Sequence, residues 1–357
     1  MLETVLIIGN RAPSNLEGSY ARAFQKMGWA VHFWEPRKAL QRVARGLKIG
    51  RLFSTFVNVE PWLRKANLEL LQLAESIRPQ LVLVIATEGV RAGTLGQLRA
   101  QFHDILIYCL FPDTPHNLVP DRIQCLPMFD RVMTVSPGWI DAFRRLGAER
   151  IHYLPLAADT DLHQPVVHSG AVPGPGHDVA FVGNWRPERE AFLEQLVDFD
   201  LRIWGTEYWK RNTSPASHLR DRWAGRPLFG SEFALACAEN RILLNIIDSV
   251  GWPGPNMRTF EQPACRGFSL VTRTPAVTEL FKEGENIECF ASIDEARAKI
   301  EFYLANVDAR RQVADAAYNF VVSGGHTYTD RVREILDWAS EDGLDQKDLA
   351  ASVQVER

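Results

Sequence analysis

Short apolar runs rich in β-branched residues recur along this chain, each followed by a helical pattern, and few folds accept that alternation. The first series is Thr4–Gly9 (TVLIIG), Ala30–Trp34, Leu81–Ala86 (LVLVIA), Ile105–Leu110, Val132–Val135 and His152–Leu156. The second is Asp178–Gly183 (DVAFVG), Arg202–Gly205, Ile242–Ile247, Phe268–Thr272 and Asn286–Phe290. Runs this short and this continuously apolar are those of strands buried on both faces. Strands alternating with helices imply βαβ units and a mainly parallel sheet. In the first series, Gly18 and Ser19 open a helical pattern with Tyr20, Ala23, Phe24 and Met27 on one face, and Gly28 stops it. In the second, helices are predicted at 187–197, 231–238, 257–265, 293–306 and 309–322.

Between the two series lies HQPVVHSGAVPGPG (His163–Gly176), whose prolines and glycines read as a linker. The predicted organisation is a domain at 1–162, a linker at 163–176, a domain at 177–340 and a polar tail at 341–357. A length of 357 residues agrees with two domains. The expected fold is α/β, with two Rossmann-like domains facing across a cleft. Ligands of such sheets bind beyond the carboxyl ends of the strands.

Composition removes other classes. The chain is 46% hydrophobic and 24% charged with a net charge of −4. That excludes a disordered chain, a collagen-like chain and a membrane bundle, and argues against a dedicated nucleic-acid binder. The five cysteines (Cys109, Cys125, Cys237, Cys265 and Cys289) form no C-x-x-C pair and read as reduced thiols of a cytoplasmic protein. MLETVLIIGN has no basic segment before its apolar run, and the longest apolar runs fall far short of the ~20 residues that span a bilayer.

The P-loop, the G-x-G-x-x-G fingerprint, the G-x-S-x-G elbow and H-E-x-x-H are all absent from the sequence. The histidines do not pair at metal-ligand spacing, and no metal or cofactor is expected. Two D-x-D triplets, Asp159–Asp161 and Asp198–Asp200, read as solvated turn carboxylates rather than metal ligands.

The most informative stretch is NMRTFEQPACRG, Asn256–Gly267, which follows the turn GWPGP and precedes a strand. Asn256 is a plausible N-cap. Arg258 and Glu261 are three apart and share one face of a first helical turn. The arginine suits a phosphate and the carboxylate suits the two hydroxyls of a ribose. The same spacing also fits an Arg–Glu pair on the surface. Pro263 falls inside the helix and removes one backbone bond. A second stretch, FVGNWRPER (Phe181–Arg189), ends a strand in Gly183 and starts a helix at Pro187. Gly183 and Asn184 lie at the turn, and Arg186 or Arg189 could neutralise a diphosphate. An ordinary βα turn with exposed arginines is the plainer reading.

These pieces resemble the group 1 glycosyltransferases of the GT-B fold, in the CgeB-like (spore-maturation-type) branch. The resemblance rests on DVAFVGNWRPERE, the IWG strand end, LLNI before NMRTFEQPACRG, FKEGENIECF and HTYTDRVREIL. RPQLVLVIATEG, LFPDTPHNL and AERIHYLPLAADTDLHQP add to it in the first half. The family usually carries a small residue and then Gly after the helical Cys, whereas here Arg266 precedes Gly267. The resemblance implies a sugar donor held by the second domain, with Glu261 on the ribose and Arg258 and the Gly183 turn at the diphosphate. Gly205 and the Phe229–Gly230 turn would lie near the base. It further implies catalysis without a metal, with arginine and a helix dipole meeting the departing diphosphate.

In the first half, Asp113 and His116 of FPDTPHNL follow a strand, and either could deprotonate an acceptor hydroxyl. Asp113 equally fits as the cap of the turn made with Pro112 and Pro115. Gly18, Ser19 and Glu88 are lesser candidates for phosphate or acceptor contacts. His326 and Thr327 read as the start of the last helix, with Asp330 in its first turn. The stretch Arg37–Arg51 holds six basic residues and no acid, with Leu40, Val43, Ala44 and Leu47 at helical spacing. It fits either a core-packed helix with a solvated face or peripheral contact with the inner face of a membrane.

The expectation is a cytoplasmic glycosyltransferase moving a sugar from a nucleotide diphosphate sugar to a glycan, lipid-linked or protein acceptor. A nucleotide-sugar epimerase, a two-domain solute-binding protein and a nucleotide-binding homologue without activity are the rivals.

Overall fold

The structure, a computed structural model, describes residues 3–44, 59–85, 89–166 and 176–344. Two compact units divide the chain: Met1–Leu154 with Thr329–Arg357, and Pro155–Tyr328. Each is built on one parallel sheet. The first unit holds β1 (Thr4–Ile8), β2 (Ala30–Trp34), β3 (Leu81–Val84), β4 (Leu106–Phe111), β5 (Arg131–Thr134) and β6 (Ile151–Tyr153), in the order β2-β1-β3-β4-β5-β6. The second holds β7 (Val179–Val182), β8 (Leu201–Trp204), β9 (Ile242–Asn245), β10 (Ser269–Thr272) and β11 (Glu288–Phe290), in the order β11-β10-β9-β7-β8. All eleven apolar runs of the sequence are strands. β1, β3, β4, β7 and β9 are buried along their whole length, as continuous apolar runs covered on both faces require.

Both orders reverse direction once, between β1 and β3 and between β7 and β9. Connections to right and left then leave the sheet from neighbouring strands, and a crevice opens above their carboxyl ends. The two switch points direct attention to the loops after Ile8 and Val84, and after Val182 and Asn245.

The division differs in two respects from the one drawn on composition. The boundary falls at Leu154, and the chain read as linker is packed at both ends. His163 is buried, Val166 packs on a hydrophobic cluster of the second unit, and a Cβ on Gly176 would lie 1.6 Å from the Glu239 carbonyl oxygen. Only residues 167–175 of it lie outside the described residues. The final helix, Tyr328–Glu341, was expected in the second domain but belongs almost wholly to the first unit. Its end is held there by Asp342, which accepts hydrogen bonds from Tyr108, Arg131 and Arg150.

Candidate functional site

At the switch point of the second unit, the short helix Arg258–Ala264 starts beside the end of β7. Met257 is the capping position rather than Asn256, which stands one residue before it; the Asn256 Oδ1 still accepts from the Thr259 N–H at 3.3 Å and from Asn245 Nδ2 of β9 at 3.0 Å. The Arg258 Nε donates to the Val182 carbonyl at 3.2 Å, next to Gly183. Its guanidinium lies 4.3 Å from the centre of the Phe233 ring, a cation–π contact supplied by helix Gly230–Glu239. Arg258 pairs with Glu261, as the three-residue spacing requires. The pair is not a surface pair. Glu261 is 3% exposed, and the Nε2 of His163 stands 3.7 Å from its second oxygen. The arrangement is a buried carboxylate that holds a partly exposed cation (26%) at the sheet's carboxyl edge.

Around this pair the loops are tied together. Arg189 donates to the Ile246 carbonyl from Nε and Nη2, at 3.1 and 3.0 Å, and to the Asn184 carbonyl from Nη1 at 3.0 Å. It thereby joins the loops after β7 and β9. Burial lowers its pKa from the usual arginine value, against the Asp248 charge, which raises it. Arg189 is thus committed to backbone, while Arg186 is half exposed, with Nε 3.5 Å from Asp248. Asn184 accepts from Thr206, linking the loops after β7 and β8. Gly205 packs so closely that a Cβ would stand 2.3 Å from the Gly183 carbonyl oxygen, which itself accepts from the Trp209 indole at 2.9 Å. Phe229 is exposed at the start of helix Gly230–Glu239. The structure therefore gathers Gly183, Asn184, Arg186, Arg189, Gly205, Asn256, Arg258 and Glu261 at one sheet edge, with the Phe229–Gly230 helix joined to them through Phe233.

The first unit carries a pocket of about 350 Å³ at the carboxyl edge of its own sheet. Its walls come from the segments after β1 (Gly9 and Asn10), β2 (Glu35 to Lys38), β3 (Ile85) and β4 (Phe111 to Asp113), with Asn15 to Glu17 and Arg122. Glu17 reaches back under the β1 loop, where its Oε1 accepts from the Asn10 N–H at 2.9 Å. Gly9 makes room for it: a Cβ there would fall 2.6 Å from the Glu17 Cγ. Glu35 accepts from the Arg11 N–H and pairs with Lys38.

Here the two candidate bases part. Asp113 lines the pocket, and it also caps its turn, accepting from the Thr114 N–H at 2.8 Å and from Asn117 Nδ2 at 2.6 Å. His116 does not line the pocket, and its Nδ1 sits 3.0 Å from the Thr114 hydroxyl. Gly18 and Ser19 are buried in the opening turn of helix Leu16–Lys26, where the Ser19 N–H bonds the Asn15 carbonyl at 3.2 Å, and neither lines the pocket. Glu88 lies outside the described residues. Of the basic stretch, helix Pro36–Val43 packs Leu40 and Val43 on the core and pairs Lys38 with Glu35 and Arg42 with Glu69. Arg45, Lys48 and Arg51 lie outside the described residues. Neither D-x-D triplet is fully solvated. Asp159 is buried and accepts from the Asp161 N–H, and Asp198 pairs with Arg297. Among the described residues, no group of three or more His, Cys, Asp or Glu stands where it could hold a metal ion. No described helix is long and apolar enough to cross a membrane.

Sequence reasoning missed Glu17, Glu35, Asp248 and His163. Glu35 and Asp248 carried a signal, since each follows closely on a strand at its carboxyl end. His163 carried none, lying in a stretch whose composition reads as linker.

Two α/β units, each with an all-parallel sheet that reverses its order once, form the architecture of the GT-B glycosyltransferase structures. A sucrose-phosphate synthase from Thermosynechococcus elongatus matches at 12% identity and a TM-score of 0.67, covering 95% of this chain and 98% of its own. The Anabaena protein HepE in complex with UDP and glucose matches at 11% identity and 0.65, covering 95% of this chain and 100% of its own. A UDP-N-acetylglucosamine 2-epimerase matches at 15% identity and 0.54, covering 97% and 99%. At such identities the likeness is one of fold. Residues 186–337 match the family described as Glycosyl transferase-like, a segment that contains Arg258 and Glu261. No curated protein matches the chain.

Proposed function

We propose that the chain is a glycosyltransferase, of the CgeB-like branch, that takes a hexose from a UDP-sugar and passes it to a hydroxyl of a glycan, lipid-linked or protein acceptor. The observation that carries the reading is the Arg258–Glu261 pair: a buried carboxylate fixing a cation beside Gly183 at a switch point, within the segment that matches a glycosyltransferase family. In this reading Arg258, helped by Arg186, meets the diphosphate, whose negative charge grows as the sugar leaves. Glu261 accepts the ribose hydroxyls. Asp113 takes the proton of the acceptor hydroxyl, since it lines the first-unit pocket and His116 does not. The diphosphate is neutralised by arginine rather than by a metal, so turnover survives EDTA.

Titration calorimetry tests the site directly. Arg258→Ala should weaken UDP about tenfold to a hundredfold, the worth of a charge-assisted pair, and weaken uridine little. Glu261→Gln should abolish the preference for UDP over 2′-deoxy-UDP. Unchanged affinities in both variants would remove the reading. The epimerase-like neighbour supports one rival, a nucleotide-sugar epimerase. Consumption of UDP-N-acetylglucosamine without any acceptor, followed by NMR, would favour that rival.

A further inference from the structure

Glu261 is buried, and burying a carboxylate is costly unless its oxygens find partners. Arg258 takes Oε2. The other oxygen, Oε1, is faced by the Nε2 of His163 at 3.7 Å. His163 is buried as well, and one ring seats both partners of the carboxylate. Phe233 meets the imidazole in a T-shape, with ring centres 5.7 Å apart, and lies under the Arg258 guanidinium at 4.3 Å. The far side of the imidazole is also fixed. Its Nδ1 accepts from the Asp159 N–H at 3.2 Å, which leaves Nε2 to carry the proton and turns an N–H toward Glu261.

We propose that His163 is a positioning residue for Glu261, acting on the sugar donor only through that carboxylate; the proposal rests on the ribose reading given above. The last torsion of a glutamate is soft, so a partner on Oε2 alone leaves the carboxylate plane free to turn. A second group facing Oε1 sets that plane. An ionised carboxylate offers about four acceptor positions. Arg258 fills one on Oε2, and the His163 N–H faces one on Oε1. One position then stays open on each oxygen, which is what two neighbouring ribose hydroxyls need. At 3.7 Å the contact is longer than a hydrogen bond, so the N–H orients Oε1 as a dipole without using up its lone pair.

The two sides of the imidazole can be removed separately. His163→Asn keeps an oxygen near the Nδ1 position for the Asp159 N–H and loses the N–H at Nε2. His163→Gln places an amide N–H near Nε2 and gives up the Asp159 bond. Calorimetry on the full chain, with UDP and 2′-deoxy-UDP as probes, reads the difference, and thermal melts check folding. The unaltered protein should prefer UDP by about tenfold or more, the worth of a hydrogen bond to a charged group. His163→Asn should cut that preference to under about threefold, whereas His163→Gln should keep it. A merely structural role would move the two variants together. Beside Glu261→Gln, His163→Asn should have no further effect on the preference, because the group it acts through is gone. Should His163→Asn not fold, His163→Phe takes its place, since it keeps a ring on Phe233 and carries no N–H. Full preference in the variant without the N–H, loss of preference in His163→Gln, or equal weakening of both nucleotides would overturn the proposal. Failure of the ribose reading itself looks different: Glu261→Gln would then leave the preference as it was in the unaltered protein.

Discussion

Arg258 is held by three different contacts: the Val182 carbonyl, the face of Phe233 and the carboxylate of Glu261. The spacing of Arg258 and Glu261 was legible in the sequence, because residues three apart on a helix share a face. Phe233 and His163 were not, because they come from distant chain and nothing local marks them. Gly205 shows the same limit. Its resemblance-based place near the base gave no hint that it packs on the Gly183 carbonyl and the Trp209 ring. Gly205→Ala would put a methyl 2.3 Å from that carbonyl oxygen and 2.6 Å from the indole, with backbone on one side and a buried ring on the other. Overpacking of this kind costs about 1–3 kcal/mol. Urea denaturation should show that loss, and a variant as stable as the parent would mean that the two loops part freely.

Among the elements, the Arg258–Ala264 helix shows how local rules and packing divide the work. Pro263 sits inside it, yet the helix is only seven residues long and ends one residue later. Its end is a Schellman turn: the Gly267 N–H bonds the Gln262 carbonyl and the Arg266 N–H bonds the Pro263 carbonyl. Arg266 occupies the left-handed position (φ 59°), where glycine is usual. What holds an arginine there is its stack on Tyr318 at 4.5 Å and its pairing with Asp315 at 3.3 Å. The sequence exposed the departure from Gly but not its partners, which belong to helix Val307–Ser323. Arg266→Gly removes about 1 kcal/mol of left-handed strain and a similar sum of stacking, so stability should change by less than about 0.5 kcal/mol. Arg266→Val loses the stack and introduces a β-branched residue at positive φ, at a cost of about 2 kcal/mol. Equal stabilities of the two variants in thermal melts would show that the strain is relieved elsewhere.

At the scale of the molecule, the two parallel sheets were readable from the alternation of elements, whereas the order of their strands and the allegiance of the final helix were not. Its amphipathic pattern says that one face is buried but not against which sheet. The answer lies just beyond its last turn. Asp342 accepts from Tyr108 at 2.5 Å, from Arg131 at 2.7 and 2.9 Å and from Arg150 at 2.6 Å, and the Trp338 ring packs on His152 at 4.6 Å. Burial pushes the Asp342 carboxyl up, but the hydrogen bonds from Arg131, Tyr108 and Arg150 outweigh it and hold the group well below the usual carboxylate range. A carboxyl whose pKa is depressed on folding contributes stability above its unfolded pKa of about 3.9 and loses that contribution as pH falls through and below it. Asp342 and Arg131 are 7% and 3% exposed, and without Asp342 the Arg131 guanidinium keeps only its exposed carboxylate partner Glu341 at 2.9 Å, so the loss should be about 2 kcal/mol, below that of a fully stranded buried charge. Asp342→Ala should therefore raise hydrogen exchange in β4, β5 and the final helix at pH 7 and leave β7, β9 and β10 as they were. The gap between variant and parent should narrow as pH is lowered from 5 toward 3, because the parent is then losing the contribution that the variant already lacks. A gap that stays constant with pH would mean that the helix is held by the Trp338 contact and not by the Asp342 charge.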